Sequence, residues 1–206
     1  MSNCDVTIID YGSGNIASVV NMVKRIGYSA TVAKDPRELS GAARVILPGV
    51  GAFDAGMQKL REREFIDPLT KLAFEAKIPF LGICLGSQLL GRSSEEGKEL
   101  GLGWLDFECR KFIPEGNLKV PHMGWNFVST RNMCAVTRDL PQDPRFYFVH
   151  SYYMDVHDSS QVLFNTYYGH DFASGVVKEN IYGVQFHPEK SHKFGMSLLR
   201  SFLEAR

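Results

Sequence analysis

The clearest chemical potential in this sequence belongs to a cysteine between two glycines. Cys84 follows an apolar run and forms the pattern Gly-x-Cys-x-Gly with Gly82 and Gly86. Small residues on both sides let the backbone make a tight turn that pushes the side chain out at a strand end. A helix beginning directly after the cysteine favours the thiolate, which is the nucleophilic form. The pattern indicates a nucleophile elbow, and a buried packing cysteine is the competing interpretation.

A cysteine nucleophile needs a general base, and one of the six histidines has suitable neighbours. His187 ends a β-rich run and is followed by Pro188 and Glu189. Proline stops regular structure, and a carboxylate two residues away can orient an imidazole and stabilise its protonated form. The alternative is a solvated histidine in a surface turn. An elbow cysteine together with a strand-end His-Pro-Glu favours a catalytic triad.

The first half of the chain predicts a parallel sheet that would position the cysteine. Short β-branched runs alternate there with helical patterns, which is typical of parallel strands covered by helices on both faces. The predicted strands cover 6–10, 29–33, 44–47 and 78–83, and helical segments lie between 16 and 26 and between 53 and 76. The fourth strand leads into Cys84, so the cysteine is expected at the carboxyl edge of the sheet.

The second half predicts antiparallel or mixed sheet followed by an amphipathic helix over 191–204. Its predicted strands cover 104–113, 119–130, 145–155, 161–168 and 171–185. We therefore expect an α/β fold with a mostly parallel central sheet flanked by helices and additional antiparallel strands. No linker or repeat divides the chain, so residues 1–206 are expected to form a single domain.

Composition excludes several classes of function. The 206 residues contain 23 Lys and Arg and 23 Asp and Glu, so no net charge attracts polyanions and nucleic-acid binding is not expected. The apolar runs are too short to cross a membrane. Four separated cysteines without a C-x-x-C pair are typical of a reduced, cytoplasmic protein. We see no metal constellation and expect no cofactor.

One glycine-rich run has a second interpretation. Gly12 and Gly14 follow the first predicted strand, as in a dinucleotide-binding loop, with Ala17 at the third glycine position and Asp35 as the acidic residue. The motif is permissive, so we regard this interpretation as the weaker one.

Three runs of the sequence resemble class I glutamine amidotransferases, and the match extends over nearly the whole chain. These runs contain the elbow cysteine, the His-Pro-Glu segment and a Pro-Gly-Val-Gly turn; they are 82–88, 185–191 and 47–53. The resemblance implies a flavodoxin-like domain that hydrolyses L-glutamine to glutamate and ammonia through a glutamyl thioester.

The same resemblance implies roles for the residues around the elbow. Cys84 would be the nucleophile, His187 the base and Glu189 its orienting carboxylate. The oxyanion hole would come from the turn at Val50 and Gly51 and from the backbone N–H of Leu85, since backbone donors stabilise a tetrahedral oxyanion. The glycine would let the Val50 peptide rotate, so the hole could exist in formed and unformed states.

Substrate-binding residues also follow from the resemblance. Gln88 lies one helical turn after the cysteine, and Glu96 is expected to bind the substrate glutamine, with neighbouring Glu95 as its alternative. Backbone between Tyr147 and Tyr152, including Ser151, is expected to close the pocket. Taken without the family, Gln88 and Glu96 would be ordinary surface residues.

Within the class, further runs are similar to the glutaminase subunits of imidazole glycerol phosphate synthases, of histidine biosynthesis. These runs are 10–16, 121–126 and 147–152. The resemblance implies a heterodimer with a (β/α)8-barrel cyclase subunit, which receives ammonia and makes imidazole glycerol phosphate and AICAR. Asn15, Met123, Trp125 and Lys190 would lie at that interface, although burial tendency alone would place Met123 and Trp125 in the core.

Two residues depart from the pattern of that subunit. Ser13 stands where proline is common, and Ser87 stands where methionine usually follows Cys-Leu-Gly. Neither is a triad residue, so we expect these two serines to affect packing or coupling to a partner more than the reaction itself. Three other functions stay open: a glutaminase subunit for an anthranilate or aminodeoxychorismate enzyme, a stand-alone cysteine hydrolase, and a binding protein with an inactive triad.

Overall fold

The first half of the protein alternates strands and helices, as the sequence predicts. A computed structural model describes residues 4–113, 116 and 118–205. The elements of this half are β1 (Val6–Ile9), α1 (Ile16–Arg25), β2 (Ala30–Ala33), β3 (Val45–Gly49), α2 (Phe53–Glu62), α3 (Ile66–Thr70), β4 (Phe80–Cys84) and α4 (Leu85–Gln88). A 3-10 turn (Pro36–Leu39) follows β2, and a π-helical turn (Lys71–Glu75) extends α3.

The second half consists mostly of strands. Its elements are β5 (Ser93–Ser94), β6 (Phe107–Lys111), β7 (His122–Phe127), β8 (Ser129–Thr130), β9 (Arg145–His150), β10 (Tyr152–Val156), β11 (Val162–Tyr168), β12 (His170–Lys178), β13 (Ile181–Val184) and α5 (His192–Leu203). Two 3-10 turns (Ser159–Gln161 and Pro188–Lys190) connect them.

Eleven strands of the described residues form one sheet in the order β2-β1-β3-β4-β13-β12-β10-β6-β5, with β11 and β8 extending from β12. Strands β2, β1, β3, β4 and β13 are parallel, and β12, β10 and β11 pair in antiparallel fashion. The register places Gly49 beside Cys84 and Val184 beside Ile83. The ends of β3, β4 and β13 therefore meet at one edge, as expected for a parallel sheet.

Three predicted strands are each divided in the structure. The strand predicted over 119–130 consists of β7, in a two-stranded ribbon, and β8, which pairs with β11. The strand predicted over 145–155 consists of β9, which pairs with β7 in a separate two-stranded ribbon, and β10, which joins the main sheet. The strand predicted over 171–185 is the hairpin of β12 and β13, and β13 returns parallel to β4. Alternating hydrophobicity identifies a strand but does not reveal where the chain turns between sheets.

Two apolar clusters cover the faces of the sheet. Alternate residues of β1 point to opposite clusters: Ile8 packs with α1 and α5, whereas Ile9 packs with α2. Asn15 is the N-cap of helix α1, and its side chain accepts a hydrogen bond from the Ser18 N–H at 3.3 Å. Within the part of the chain described, none of the helices is both long and apolar enough to span a bilayer.

Candidate active site

Cys84 occupies a strained turn between β4 and α4. Its φ and ψ are 53° and −115°, a region that residues other than glycine rarely adopt. A Cβ on Gly86 would lie 1.8 Å from the Leu47 carbonyl oxygen, and one on Gly82 would lie 2.7 Å from the Gly86 carbonyl oxygen. Only glycine fits at these two positions, so β4 and the short helix can approach closely around the cysteine.

Ser87 supports the same turn from inside the protein. Its hydroxyl donates a 2.7 Å hydrogen bond to the Cys84 carbonyl, and the residue is fully buried. Ser87, which departs from the family pattern, therefore packs inside the elbow and is not exposed to solvent.

His187 is held on both sides. Its backbone N–H donates to the Tyr147 carbonyl at 2.9 Å, and Ser191 donates to its carbonyl at 2.6 Å. On the ring, Nδ1 lies 2.7 Å from Oε1 of Glu189. Pro188 starts the 3-10 turn that brings Glu189 back to the imidazole.

The protonated form of His187 is favoured in this setting. Burial by itself would lower the pKa of the imidazole, but interactions with Cys84 and Glu189 outweigh burial and raise the pKa from 6.5 to about 9. Nε2 of His187 is buried and has no well-aligned hydrogen-bond partner among the described residues. An imidazolium at this place stabilises negative charge on the neighbouring sulfur.

Cys84 and His187 open into one cavity of about 320 Å³, which is at the small end for small-molecule sites. The residues that line it come from the elbow, the turn after β3 and the corner between β9 and β10: Val50, Gly51, Cys84, Leu85, Gln88, Glu96, Pro121, Val149, His150, Ser151, Tyr152 and His187. A larger groove of about 590 Å³, beside Trp125, has no cysteine among the described residues that line it.

A family model described as "Glutamine amidotransferase class-I" matches residues 7–205. The chain belongs to the class-I glutamine amidotransferase family. Two curated relatives are each named imidazole glycerol phosphate synthase subunit HisH. The one from Pseudomonas aeruginosa, "HisH 2", is 49% identical over 97% of this chain and 98% of the relative. The one from Leptospira borgpetersenii is 43% identical over 96% and 98%.

Solved structures support the fold of this class-I glutamine amidotransferase. The structure of PurLQS from Thermotoga maritima aligns with a TM-score of 0.74 at 17% identity, covering 97% of both chains. A glutamine amidotransferase from the same organism aligns with a TM-score of 0.66 at 21% identity, again covering 97% of both chains. The predicted fold class is confirmed, including the antiparallel strands of the second half.

The turn predicted to form the oxyanion hole lies at the cavity, but the N–H of Val50 already donates a hydrogen bond within the protein. The N–H of Val50 donates to the Ser13 hydroxyl at 3.4 Å, and that hydroxyl donates in turn to the Val50 carbonyl. Gly51 has a φ of 108°, and a Cβ there would meet nothing within 4 Å. Leu85 follows the nucleophile and lines the cavity.

The predicted substrate residues are placed differently from one another. Gln88 and Glu96 both line the cavity, whereas Glu95 interacts with Arg110 and the Lys111 N–H. Of the two neighbouring glutamates, the structure thus brings Glu96 to the site, with one of its oxygens 2.8 Å from the Phe53 N–H.

The β9–β10 corner contributes unevenly to the cavity. Ser151 lines it, but Tyr147 does not. Tyr147 lies further back along β9, where its carbonyl accepts the His187 N–H and its ring lies beneath the Lys190 ammonium.

The four predicted interface residues do not form part of the core. Met123 and Trp125 are 61% and 46% exposed, so the burial-based interpretation of these two residues is wrong. Trp125 stacks on His192, and Lys190 lies over the Tyr147 ring at 5.8 Å. Asn15 is exposed, and its side chain caps α1.

Sequence reasoning missed three polar residues beside this site. Gln185 is fully buried, and its amide lies 3.9 Å from the Cys84 sulfur. His150 lines the cavity and bonds to His122 on the facing strand. The sequence contained a signal for these residues, namely a glutamine or histidine at the inward position of an otherwise apolar strand. Such a residue indicates a polar network, because buried polar groups need partners.

The described residues give little support for a metal site or for a dinucleotide-binding site. They contain no group of three or more His, Cys, Asp or Glu arranged to hold a metal ion. Asp35 caps the turn after β2 and pairs with Arg37 at 2.6 Å, so its carboxylate is already used. All four cysteines are free.

Proposed function

We propose that this protein is the glutaminase subunit of an imidazole glycerol phosphate synthase. One observation carries the proposal: Cys84 and His187 open into the same cavity, and Glu189 is bonded behind the imidazole at 2.7 Å. This is the arrangement of nucleophile, base and orienting carboxylate that acyl transfer requires.

In the first half-reaction, the Cys84 sulfur attacks the side-chain carboxamide carbon of glutamine. A C–S bond forms, and the oxygen of the tetrahedral intermediate becomes an oxyanion. The N–H of Leu85 and a rotated peptide at Val50 supply donors to that oxygen. His187 delivers a proton to the departing nitrogen, the C–N bond breaks and ammonia leaves.

In the second half-reaction, water attacks the glutamyl thioester. His187 removes a proton from the water, the C–S bond breaks and glutamate leaves with the sulfur returned as thiolate. Glu189 keeps the Nδ1 proton of the imidazole in place through both steps, so Nε2 is always the atom that exchanges protons.

The cavity suits a zwitterionic amino acid. One oxygen of Glu96 is occupied by the Phe53 N–H, which leaves the other for the α-ammonium of glutamine. Gln88 and the backbone around Ser151 provide neutral polar groups on the remaining walls. Among the described residues that line the cavity there is no Lys or Arg, which fits a substrate without net charge better than a phosphorylated one.

The partner follows from the exposed surface and from the relatives' names. Met123, Trp125 and Phe127 project from one side of β7 and are 61%, 46% and 57% exposed. Apolar groups exposed in a row are typical of protein interfaces. We propose that this side of β7, together with Asn15 and Lys190, contacts a (β/α)8-barrel cyclase subunit that consumes the ammonia in histidine biosynthesis.

The two halves of the chain contribute to one site. The site takes residues from both halves, since Cys84 ends β4 and His187 follows β13. This supports one glutamine amidotransferase domain over 1–206. Four free cysteines are consistent with the cytoplasm, where thiols stay reduced.

Glutamate release measured in three conditions tests the function. We expect little turnover by the chain alone, more with the cyclase subunit, and most when the cyclase also holds its nucleotide ligand. Met123→Ala should weaken stimulation, and Leu100→Ala, which truncates a side chain that is 73% exposed, serves as the matched control. Equal rates in all three conditions would overturn the coupling.

Assays with other partners separate the remaining alternatives. Stimulation by the synthase partner of an anthranilate or aminodeoxychorismate enzyme, and none by the cyclase, would assign the chain to another synthase. Full turnover without any partner would indicate a stand-alone hydrolase. A chain inactive in all combinations would be a binding protein.

A further inference from the structure

Two buried histidines outside the triad face each other across the β7–β9 ribbon. His122 is opposite His150 in the register, and Nδ1 of His122 lies 2.9 Å from Nε2 of His150. They are 3% and 6% exposed. Burial lowers the pKa of His122 to about 4 and that of His150 to about 3, so both rings are neutral near pH 7.

The contact between His150 and Tyr152 determines which ring nitrogens of the two histidines carry hydrogen. Nδ1 of His150 lies 2.7 Å from the Tyr152 carbonyl oxygen, which can only accept. Nδ1 of His150 is therefore the protonated nitrogen, and its Nε2 carries a lone pair. The hydrogen in the bond between the two rings must then come from Nδ1 of His122.

The contacts of Asn126 with His122 lead independently to the same assignment of the ring hydrogens. Oδ1 of Asn126 accepts the Phe127 N–H at 2.8 Å, so the Asn126 amide nitrogen is the donor group. That nitrogen donates to the Tyr167 carbonyl at 3.0 Å and lies 3.2 Å from Nε2 of His122. Nε2 of His122 must accept, which again leaves its hydrogen on Nδ1.

The chain of hydrogen bonds continues into the cavity. The Tyr152 carbonyl also accepts from the Gln88 amide nitrogen at 3.2 Å, and the same nitrogen donates to Oε1 of Gln185 at 2.9 Å. Both hydrogens of the Gln88 amide are thus used by the protein. Its carbonyl oxygen is left as the hydrogen-bonding atom available to a ligand.

We propose that Asn126, His122 and His150 are positioning residues: together they hold the Tyr152 carbonyl in the place where it and Gln185 fix the Gln88 amide with its oxygen toward the substrate. A glutamine side chain can otherwise turn its amide over and present a donor instead of an acceptor. In the fixed orientation Gln88 recognises an N–H donor of the substrate. This inference rests on the proposed glutaminase function for the identity of that substrate.

The tautomers of the two histidines can be tested without activity. Long-range ¹⁵N–¹H correlation spectra of the whole chain should show both His122 and His150 protonated at Nδ1, and unchanged between about pH 5.5 and 8. An Nε2–H tautomer at either position would overturn the inference.

Kinetics with the cyclase complex test the effect on substrate binding. His150→Leu and His122→Leu should each raise KM for glutamine about tenfold, with kcat and the rate of Cys84 alkylation by iodoacetamide close to parental values. His150→Asn and His122→Asn keep a donor near the Nδ1 position and should restore KM to within about threefold of the parent. His157→Leu changes an exposed histidine and is the matched control.

The possible outcomes are distinguishable. Parental KM in folded leucine variants, or equal losses in KM, kcat and alkylation with no rescue by asparagine, would overturn the positioning role alone. A parent complex that does not hydrolyse glutamine would overturn the proposed function and the identity of the substrate, while the spectra would still decide the orientation of the hydrogen bonds.

Discussion

Nδ1 of His187 lies 2.7 Å from Oε1 of Glu189, and the two side chains are only 2% and 3% exposed. The other carboxylate oxygen of Glu189 is buried with no hydrogen-bond partner among the residues described. The carboxylate therefore interacts mainly with one imidazole. A charge-assisted bond of this kind, away from water, orients the ring and favours its protonated form.

Removing the charge of Glu189 should reduce catalysis far more than binding. Glu189→Gln keeps the size of the side chain but loses the negative charge that stabilises imidazolium. We expect kcat for glutamine hydrolysis to fall on the order of a hundredfold or more, with KM little changed. Glu179→Gln, at an exposed surface pair with Lys77, is the control. Parental kcat in Glu189→Gln would show that the carboxylate is not needed.

The raised pKa of His187 predicts a pH dependence of stability. The pKa rises from 6.5 to about 9 on folding, so the folded state binds the proton more tightly. The resulting stabilisation is fully present below about pH 6.5 and is lost as the pH rises through about 9. Melting temperatures of the parent and of His187→Asn, measured from pH 6 to about pH 10, should therefore converge. A constant difference across that range would contradict the assignment.

Ser13 should restrain the Val50 peptide in the isolated chain. Because the Val50 N–H donates to the Ser13 hydroxyl, it is not free to stabilise an oxyanion. Ser13→Ala removes this bond, and we expect unstimulated glutamate release to rise a few-fold, in line with the loss of one hydrogen bond. Ser13→Thr keeps the hydroxyl and should behave as the parent. A lower or unchanged basal rate in Ser13→Ala would contradict the restraint.

Gly86 should be essential for folding of the elbow. An added Cβ would lie 1.8 Å from the Leu47 carbonyl oxygen, which belongs to the rigid strand β3. Gly86→Ala is expected to lower the free energy of unfolding by about 3 kcal/mol. Gly56→Ala is the matched control, since the nearest atoms to its Cβ would be the terminal methyl groups of two leucines at 3.2 to 3.3 Å and not backbone. Equal denaturant midpoints for the two variants would show that the elbow can relax.

The local parts of this site were predictable because they are encoded by neighbouring residues. The glycines around Cys84 and the Pro188–Glu189 step after His187 indicate a tight turn and a returning carboxylate from neighbouring residues, although the contact that requires Gly86 is with Leu47 of β3. The alternation of strands and helices before Cys84 likewise reflects local periodicity, and the structure confirms it.

The parts that depend on distant packing were not predictable. The division at Ser151 between β9 and β10 follows from pairing with β7, which no local pattern reveals. The choice between Glu95 and Glu96 depends on where Arg110 lies in β6. Exposure of Trp125 depends on which side of β7 faces the sheet, since a strand alternates its sides without indicating which one is covered.

The most direct test of the central claim is glutamate release by Cys84→Ala in the presence of the cyclase partner and its nucleotide ligand. We expect turnover to disappear in this variant and to remain in Cys134→Ala, which changes another free cysteine. Turnover by Cys84→Ala equal to that of the parent would contradict the claim that the thiol of Cys84 is the nucleophile.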